Sequence, residues 1–351
     1  MFGFLGLKPP TLSENRILAT RPTMPHTPAE WGSLASRWDA YLTDNFPPRA
    51  YIIGNLNYAR YLMGYSGSKK IIVGQHGWLF YDDSLHLSTI AGTRRLSGPE
   101  ISNWVKGFQQ RKEYLKGQGA KFYLIIGPTK EDIYPENRPS WMPAHRVDTE
   151  LDDIFRAAKA AGINTIVDPR TALIEEKHRL PLWDGNESHW TGHGAYIAYS
   201  QLLARMHLDM PDVQPFPERH FAGIGKETMG RKSDLAMMLG IDDFTKVSRF
   251  TYDAVPTAND LSRIIFLSDR HDWTAPAVHM TGAPGGRTLL LLRDSFATEM
   301  IPLLEQNFSR IVIAHTQDGF FRKDLVEKFK PDAVVLEIIE PGLRYTMAPL
   351  Q

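Results

Sequence analysis

The chain has 351 residues, of which 42% are hydrophobic and 23% charged, and its 40 lysines and arginines balance 40 aspartates and glutamates. This composition is typical of a globular protein, and the zero net charge excludes the strongly basic surface of a nucleic-acid-binding protein. Because the chain contains no cysteine, it can form neither disulfides nor thiolate sites.

Targeting signals are absent from the sequence as it stands. No apolar run approaches the roughly 18–20 residues of a transmembrane helix. The opening residues 1–10 are too short for a signal peptide and lack its basic start. We therefore expect either a cytoplasmic protein or one whose signal or anchor lies upstream of this sequence.

Residues 1–65 are predicted to form an N-terminal arm and helices, ahead of an α/β domain over 66–351. Helical spacing of apolar residues predicts one helix from Trp31 to Phe46 and a second over 49–63. Two short strands, 71–73 and 77–81, flank a glycine turn. Ser97 and the residues after it are a helix start.

From residue 121 onward, strands alternate with helices, which is typical of a parallel sheet covered on both faces. Residues 210–285 interrupt this alternation and are interpreted as an insertion with some β-strand. The predicted fold class is therefore α/β, with three α/β/α layers. The predicted strands are 122–126, 163–167, 288–292, 310–315 and 332–339, and the predicted helices begin near 151 and cover 191–207, 296–308 and 322–330.

Ser295 is the candidate nucleophile. In such sheets the functional side chains gather at the carboxyl ends of the strands, and Ser295 directly follows strand 288–292. A serine that opens a helix can expose its hydroxyl while its own N–H faces a developing oxyanion. The alternative is that Asp294 or Ser295 is only a helix N-cap.

His189 is the candidate general base, and Glu187, two residues earlier, is the candidate acid that orients it, with Asp184 as the other choice. With Ser295 they supply the three parts of a serine acyl-transfer site. The alternatives are a loop histidine fixed at a helix start, or a metal pair with His193. Glycines place the helix start between these histidines and no third ligand is evident, so no metal ion and no cofactor is predicted.

Three further residues are candidates for substrate binding. Lys130 follows a strand end and could face the pocket, although a solvated lysine is the simpler interpretation. Trp183 and Trp190 flank the candidate site and could stack on a sugar. Packing in the core is the alternative for both tryptophans.

These motifs, in this order, resemble the SGNH-hydrolase-like O-acetyltransferases of the alginate AlgJ/AlgX type, which modify bacterial exopolysaccharides. The family pattern has Asp-x-His-Trp and Gly-Asp-Ser-Phe, so here Glu187 replaces an aspartate and Arg293 a glycine. At that position Arg293 could assist an oxyanion, bind an acidic sugar or narrow access. The matching segments cover most of the chain: Ser13–Arg16, Gly77–Phe80, Pro128–Lys130, Ile133–Glu136, Glu187–Trp190, Asp234–Leu235, Asp294–Phe296 and Lys330–Asp332.

The resemblance implies an SGNH-like domain with permuted motif order, in which the histidine precedes the serine. It implies transfer of an acetyl group to polysaccharide hydroxyls through an acetyl-Ser295 intermediate, with His189 as base and then acid and Glu187 orienting it. It also implies a membrane protein as acetyl donor and a periplasmic location. Two other functions stay open: a carbohydrate esterase with water as acceptor, and a non-catalytic glycan-binding assembly subunit.

Overall fold

The computed structural model describes residues 17–46, 48–83, 85–143, 145–221, 226–229, 233–245, 248–251 and 263–350. The segment Ser13–Arg16, part of the family resemblance, lies outside these residues. The chain divides into two compact units, the first comprising Met1–Asp82, Gly185–Ser188 and Met229–Val247 and the second the remainder. The first unit thus extends beyond residue 65 and includes part of the segment 210–285.

The helices and strands are numbered in chain order. The helices are α1 Pro28–Asn45, α2 Arg49–Leu62, α3 Leu85–Ile90, α4 Gly98–Gly117, α5 Lys130–Ile133, α6 Glu150–Ala160, α7 Arg170–Glu176, α8 Gly192–His207, α9 Asp234–Leu239, α10 Ile301–Leu304 and α11 Lys323–Phe329. The strands are β1 Ile71–Val73, β2 Leu79–Tyr81, β3 Lys121–Gly127, β4 Ile166–Val167, β5 Lys226–Met229, β6 Ser248–Thr251, β7 Arg263–Phe266, β8 Ala277–Met280, β9 Thr288–Arg293, β10 Arg310–His315 and β11 Ala333–Ile339. None of the helices that the structure describes combines the length and hydrophobicity needed to cross a bilayer.

The first unit contains the two predicted N-terminal helices and the predicted hairpin. Thr27 caps α1 by accepting a hydrogen bond from the Glu30 N–H at 3.3 Å. Strands β1 and β2 pair antiparallel. Ser233 is the N-cap residue of α9. The hairpin and α9 share a small core of Ile71, Leu79, Leu235, Ala236, Leu239 and Ile241.

The second unit is built on a seven-stranded sheet with the order β4-β3-β11-β9-β10-β8-β7. The five strands from β4 to β10 run parallel, as predicted. Strands β8 and β7 extend the sheet antiparallel at one edge. Both lie in the segment interpreted from sequence as an insertion. The fold class α/β is confirmed.

Helices cover both faces of this sheet, which confirms the three-layer arrangement. Phe122, Leu124 and Ile126 of β3 point to the face that carries α4, α6 and α11. Their neighbours in sequence point to the opposite face, because side chains alternate along a strand. There the Tyr123 hydroxyl donates to Asp209, just after α8, at 2.9 Å. Burial of each such apolar side chain stabilises the fold by about 1.5–3 kcal/mol.

The predicted continuous helix over 296–308 is wrong. The structure has a 3₁₀ helix over Ser295–Glu299, followed by the short helix α10. Pro302 stands in the first turn of α10. Because proline has no N–H and its ring clashes with the carbonyl four residues earlier, it kinks or breaks a helix that continues through its position. The break leaves Ser295 on a tight turn instead of on a long helix.

Candidate active site

The Ser295 hydroxyl and the His189 imidazole meet within the second unit. Oγ of Ser295 lies 2.8 Å from Nε2 of His189, although the two residues are more than a hundred positions apart in sequence. Ser295 follows β9 at the carboxyl end of the parallel sheet, and His189 lies shortly before α8. This distance is within the reach that a general base needs to take a proton from a hydroxyl.

The turn that carries Ser295 is held by hydrogen bonds through Asp294. The Asp294 carboxylate accepts from the N–H of Phe296 at 2.8 Å and from the N–H of Ile339 at 2.7 Å. The Asp294 N–H in turn donates to Glu337 at 3.2 Å. No described residue accepts a hydrogen bond from the Ser295 N–H. That N–H is therefore available to stabilise negative charge next to the hydroxyl.

Glu337 is a residue of this site that the sequence interpretation missed. Its side chain is fully buried on β11, and burial, followed by the nearby Asp294, raises the pKa of Glu337 well above its ordinary value. A Cβ at Gly127 would lie only 3.3 Å from the Glu337 carboxyl and 3.1 Å from the Phe296 ring, so this position leaves room for both. The signal in the sequence was a charged residue inside the otherwise apolar run 333–339.

His189 is supported by the two residues that follow it. The indole N–H of Trp190 donates to the carbonyl of Phe296 at 2.8 Å, which links the residues around His189 to the turn that carries Ser295. Thr191 caps α8 by accepting from the Gly194 N–H at 3.4 Å. A Cβ at Gly194 would lie 2.8 Å from Trp190 Cβ, so the glycine permits this close approach.

The expectation that Trp183 and Trp190 stack on a sugar is wrong for this structure. The two residues are only 2% and 1% exposed. They form a β-bridge with each other, and their ring centroids are 6.0 Å apart. Both indoles therefore belong to the core that holds His189 in place, which was the alternative interpretation.

Arg293 is also not open to an acidic sugar, because it is only 4% exposed. One terminal nitrogen donates to the Asp294 carbonyl at 3.2 Å and to the Thr298 hydroxyl at 3.0 Å, and the other donates to the Trp273 carbonyl at 2.6 Å. Burial lowers the pKa of this guanidinium. Arg293 thus links the Ser295 turn to the loop that carries Trp273.

The remaining candidate residues are Lys130 and the two candidate acids, Glu187 and Asp184. Lys130 is only 3% exposed, and its Nζ donates to the carbonyl of Asp184 at 3.4 Å. The expectation that it faces a substrate pocket is therefore wrong for this structure, and so is the alternative of a solvated lysine. Glu187 belongs to the first unit, in the segment Gly185–Ser188. Within that unit the N–H of Ser188 donates to Asp234 at 2.9 Å, and the Ser188 hydroxyl also bonds this carboxylate. The orienting role of Glu187, or of Asp184 in its place, stays a prediction.

The fold and this pair of residues define an α/β protein of the SGNH hydrolase-like class. Residues 71–278, more than half of the chain, match the family described as "SGNH hydrolase-like domain, acetyltransferase AlgX". The chain therefore belongs to this family, and the resemblance identified from its motifs is confirmed.

Relatives with assigned names point to the same family. The chain is 28% identical over 223 residues to the probable alginate O-acetylase AlgJ of Pseudomonas aeruginosa, a match that covers 62% of this chain and 53% of that protein. The AlgJ of Azotobacter vinelandii is 24% identical over 180 residues, covering 51% of this chain and 45% of that protein. The chain thus spans about half the length of these relatives.

Two solved structures share the fold. PatB1 of Bacillus cereus superposes with a TM-score of 0.55 at 14% identity, covering 78% of this chain and 96% of that one. A DHHW family protein of Eubacterium siraeum superposes with a TM-score of 0.51 at 13% identity, covering 80% of this chain and 99% of that one. Both proteins match over almost their whole length, so the similarity describes a complete domain.

Proposed function

We propose that this chain transfers acetyl groups to hydroxyls of a bacterial exopolysaccharide, with Ser295 as nucleophile and His189 as general base and acid. The observation that carries the proposal is the 2.8 Å approach of Ser295 Oγ to His189 Nε2 at the carboxyl edge of the sheet. Support comes from the acetyltransferase family to which the chain belongs and from relatives named as probable alginate O-acetylases.

In the first half-reaction, Ser295 Oγ attacks the carbonyl carbon of an acetyl ester. The hydroxyl proton passes to His189 Nε2, which must be the unprotonated ring nitrogen, and then to the departing alcohol as its C–O bond breaks. Charge develops on the carbonyl oxygen during this attack. The Ser295 N–H is proposed to stabilise this charge, which is supported by the finding that no described residue accepts a hydrogen bond from it.

In the second half-reaction, a sugar hydroxyl attacks acetyl-Ser295. Its proton passes to His189 Nε2 and from there to Ser295 Oγ as the acyl–serine bond breaks, which restores the free enzyme. Glu187 is proposed to hold the imidazole in the tautomer whose Nδ1 carries the proton, with Asp184 as the alternative acid.

The acetyl donor and the cellular location are also proposed, on the basis of the family resemblance. A membrane protein that passes acetyl groups across the bilayer is the proposed donor, and the periplasm is the proposed location. These proposals are separate from the chemistry at Ser295, which can be tested with a small soluble ester.

The direct test is to incubate the protein with an activated acetyl ester and to measure its intact mass, followed by peptide mapping. We expect one added acetyl group on Ser295, no adduct in Ser295→Ala, and slow or absent adduct in His189→Ala. Ser102→Ala, which removes an exposed serine in α4, is the matched control and should load normally. Acetylation at another residue, or none in folded protein, would contradict the assignment.

Supplying an acceptor separates the alternatives. A transferase should hydrolyse the ester slowly and yield acetylated sugar when an oligosaccharide is present, because acceptor binding places a hydroxyl where it outcompetes water. A carbohydrate esterase should hydrolyse quickly with no sugar product. A non-catalytic assembly subunit should bind glycan and leave the ester untouched.

A further inference from the structure

The loop 267–276 joins β7 to β8 and lies at the same edge of the sheet as Ser295. Strand β8 runs antiparallel to β10, and its first residue, Ala277, pairs with Ile313 near the carboxyl end of β10. The residues that precede Ala277 are therefore at the carboxyl ends of the parallel strands. Ser295 follows β9, the strand next to β10, at this same edge.

The tip of this loop is held in one conformation. The Asp272 carboxylate accepts from the N–H of Thr274 at 2.8 Å and from its hydroxyl at 2.6 Å. The N–H of Ala275 donates to the Asp272 carbonyl at 3.0 Å. Trp273, between these residues, has its carbonyl bound by Arg293 at 2.6 Å. Hydrogen bonds from both side chains and backbone therefore hold the loop, and with it Trp273, in one position.

The guanidinium of Arg293 brings Trp273 next to the nucleophile turn. It binds the Trp273 carbonyl through one terminal nitrogen and the Asp294 carbonyl through the other. The fork of a guanidinium is rigid, so these two carbonyl oxygens lie within roughly 8 Å of each other. Asp294 directly precedes Ser295 in sequence.

The indole of Trp273 contacts two side chains and is still largely exposed. The Arg293 guanidinium carbon lies over the ring, 5.2 Å from its centroid, and the His315 ring packs edge-on at 4.9 Å. Nevertheless 56% of Trp273 is exposed. A large aromatic side chain that is fixed in place, half exposed and next to the reactive serine has the character of a binding platform.

We propose that Trp273 is the platform on which a pyranose ring of the acceptor polysaccharide stacks, an inference that rests on the proposed function. The apolar C–H face of the sugar would lie on the exposed indole, with a hydroxyl of the same or the next residue directed at acetyl-Ser295. Arg293 acts beneath the platform and fixes its distance from the nucleophile. This assigns to Trp273 the stacking role expected from sequence for Trp183 and Trp190.

The test uses two variants of the full chain and one matched control. Trp273→Ala removes the ring but keeps the carbonyl that Arg293 binds, and Trp273→Phe keeps part of the aromatic face. Trp141→Ala is the control, because Trp141 is a similarly exposed tryptophan, at 64%, elsewhere in the second unit. Binding of an unacetylated alginate oligosaccharide and of a neutral cello-oligosaccharide is measured by calorimetry in the Ser295→Ala background.

We expect Trp273→Ala to weaken binding of at least one oligosaccharide about tenfold, the loss expected when about 1.4 kcal/mol of aromatic contact is removed. Trp273→Phe should lose less, and Trp141→Ala should bind like the parent. With Ser295 present, Trp273→Ala should slow the transfer of acetyl to sugar about tenfold more than it slows the loading of acetyl from a small ester.

Unchanged binding of both oligosaccharides by Trp273→Ala would overturn the proposal, as would an equal loss in Trp141→Ala. A loss of loading from the small ester as large as the loss of transfer in Trp273→Ala would also overturn it, since the ring would then support Ser295 instead of the acceptor. Failure of wild-type protein to load acetyl on Ser295 would instead refute the proposed function. The binding comparison would still decide whether Trp273 holds sugar.

Discussion

Glu337 offers a quantitative test of how the fold supports the turn that carries Ser295. Its carboxyl is fully buried and accepts a hydrogen bond from the Asp294 N–H at 3.2 Å. Two substitutions separate the role of the carboxyl as a hydrogen-bond acceptor from its titration. Glu337→Gln keeps an oxygen acceptor and removes the titration, whereas Glu337→Leu removes the acceptor as well. The comparison between these variants therefore isolates the hydrogen bond to the turn.

The stability difference follows from the cost of leaving that buried N–H unpaired. A buried donor without a partner costs about 1–3 kcal/mol, so Glu337→Leu should unfold with a free energy lower by about that amount than Glu337→Gln. In activity, a nucleophile displaced by about 1 Å can lose about a hundredfold in rate. We expect acetyl loading in Glu337→Leu to fall by about ten- to a hundredfold and in Glu337→Gln by much less.

The pH dependence of stability supplies a second signature. Burial raises the pKa of Glu337 in the folded state. The unfolded chain therefore loses this proton first, near the ordinary glutamate pKa of about 4.3. The stability contributed by the protonated carboxyl is complete below that pH and is lost as pH rises through the folded pKa. Between the two values, wild type should lose about 1.4 kcal/mol per pH unit relative to Glu337→Gln.

Chemical denaturation from pH 4 to 8 and intact-mass loading assays measure these effects. Glu340→Gln is the matched control, because the Glu340 carboxyl is likewise buried with a raised pKa but accepts from Thr149 at 2.5 Å instead of from the turn. The stability of Glu340→Gln relative to wild type should also depend on pH, but this variant should load acetyl at the wild-type rate. Parallel stability curves for wild type and Glu337→Gln, or equal loading by Glu337→Leu and wild type, would refute this account of the turn.

Three further predictions concern the acid, the guanidinium and the helix start. Glu187→Gln should lower ester turnover less than loss of the base does, because an orienting carboxylate only holds and stabilises the imidazole; a silent Glu187→Gln beside a severe Asp184→Asn would show that the acid is misassigned. Arg293→Ala should slow both acetyl loading and transfer, since its contacts hold the turn; a loss confined to transfer would contradict that role. Gly194→Ala should destabilise the protein by about 1–3 kcal/mol through overpacking against Trp190, with thermal unfolding as the measurement and an unchanged midpoint as the contrary result.

The sequence by itself determined the fold class, most of the helices and strands, and the candidate pair Ser295 and His189. Apolar strands alternating with amphipathic helices allow few arrangements besides a parallel sheet covered on both faces. The carboxyl edge of such a sheet is where loops from distant segments meet, which brings Ser295 to His189. Hydrophobic periodicity is a local property of the sequence, so it can be inferred from one chain.

Only the tertiary structure decided which side chains face the solvent and which become internal supports. The residue type alone does not show whether a tryptophan or an arginine packs in the core or contacts a ligand. Its burial depends on which other segments of the chain cover it. Trp190 and Arg293 are therefore core residues here, while Trp273, in a segment without helical or strand periodicity, is largely exposed. Glu337 acquires its role for the same reason: a sheet buried on both faces leaves its carboxyl no solvent, and the Asp294 N–H becomes its partner.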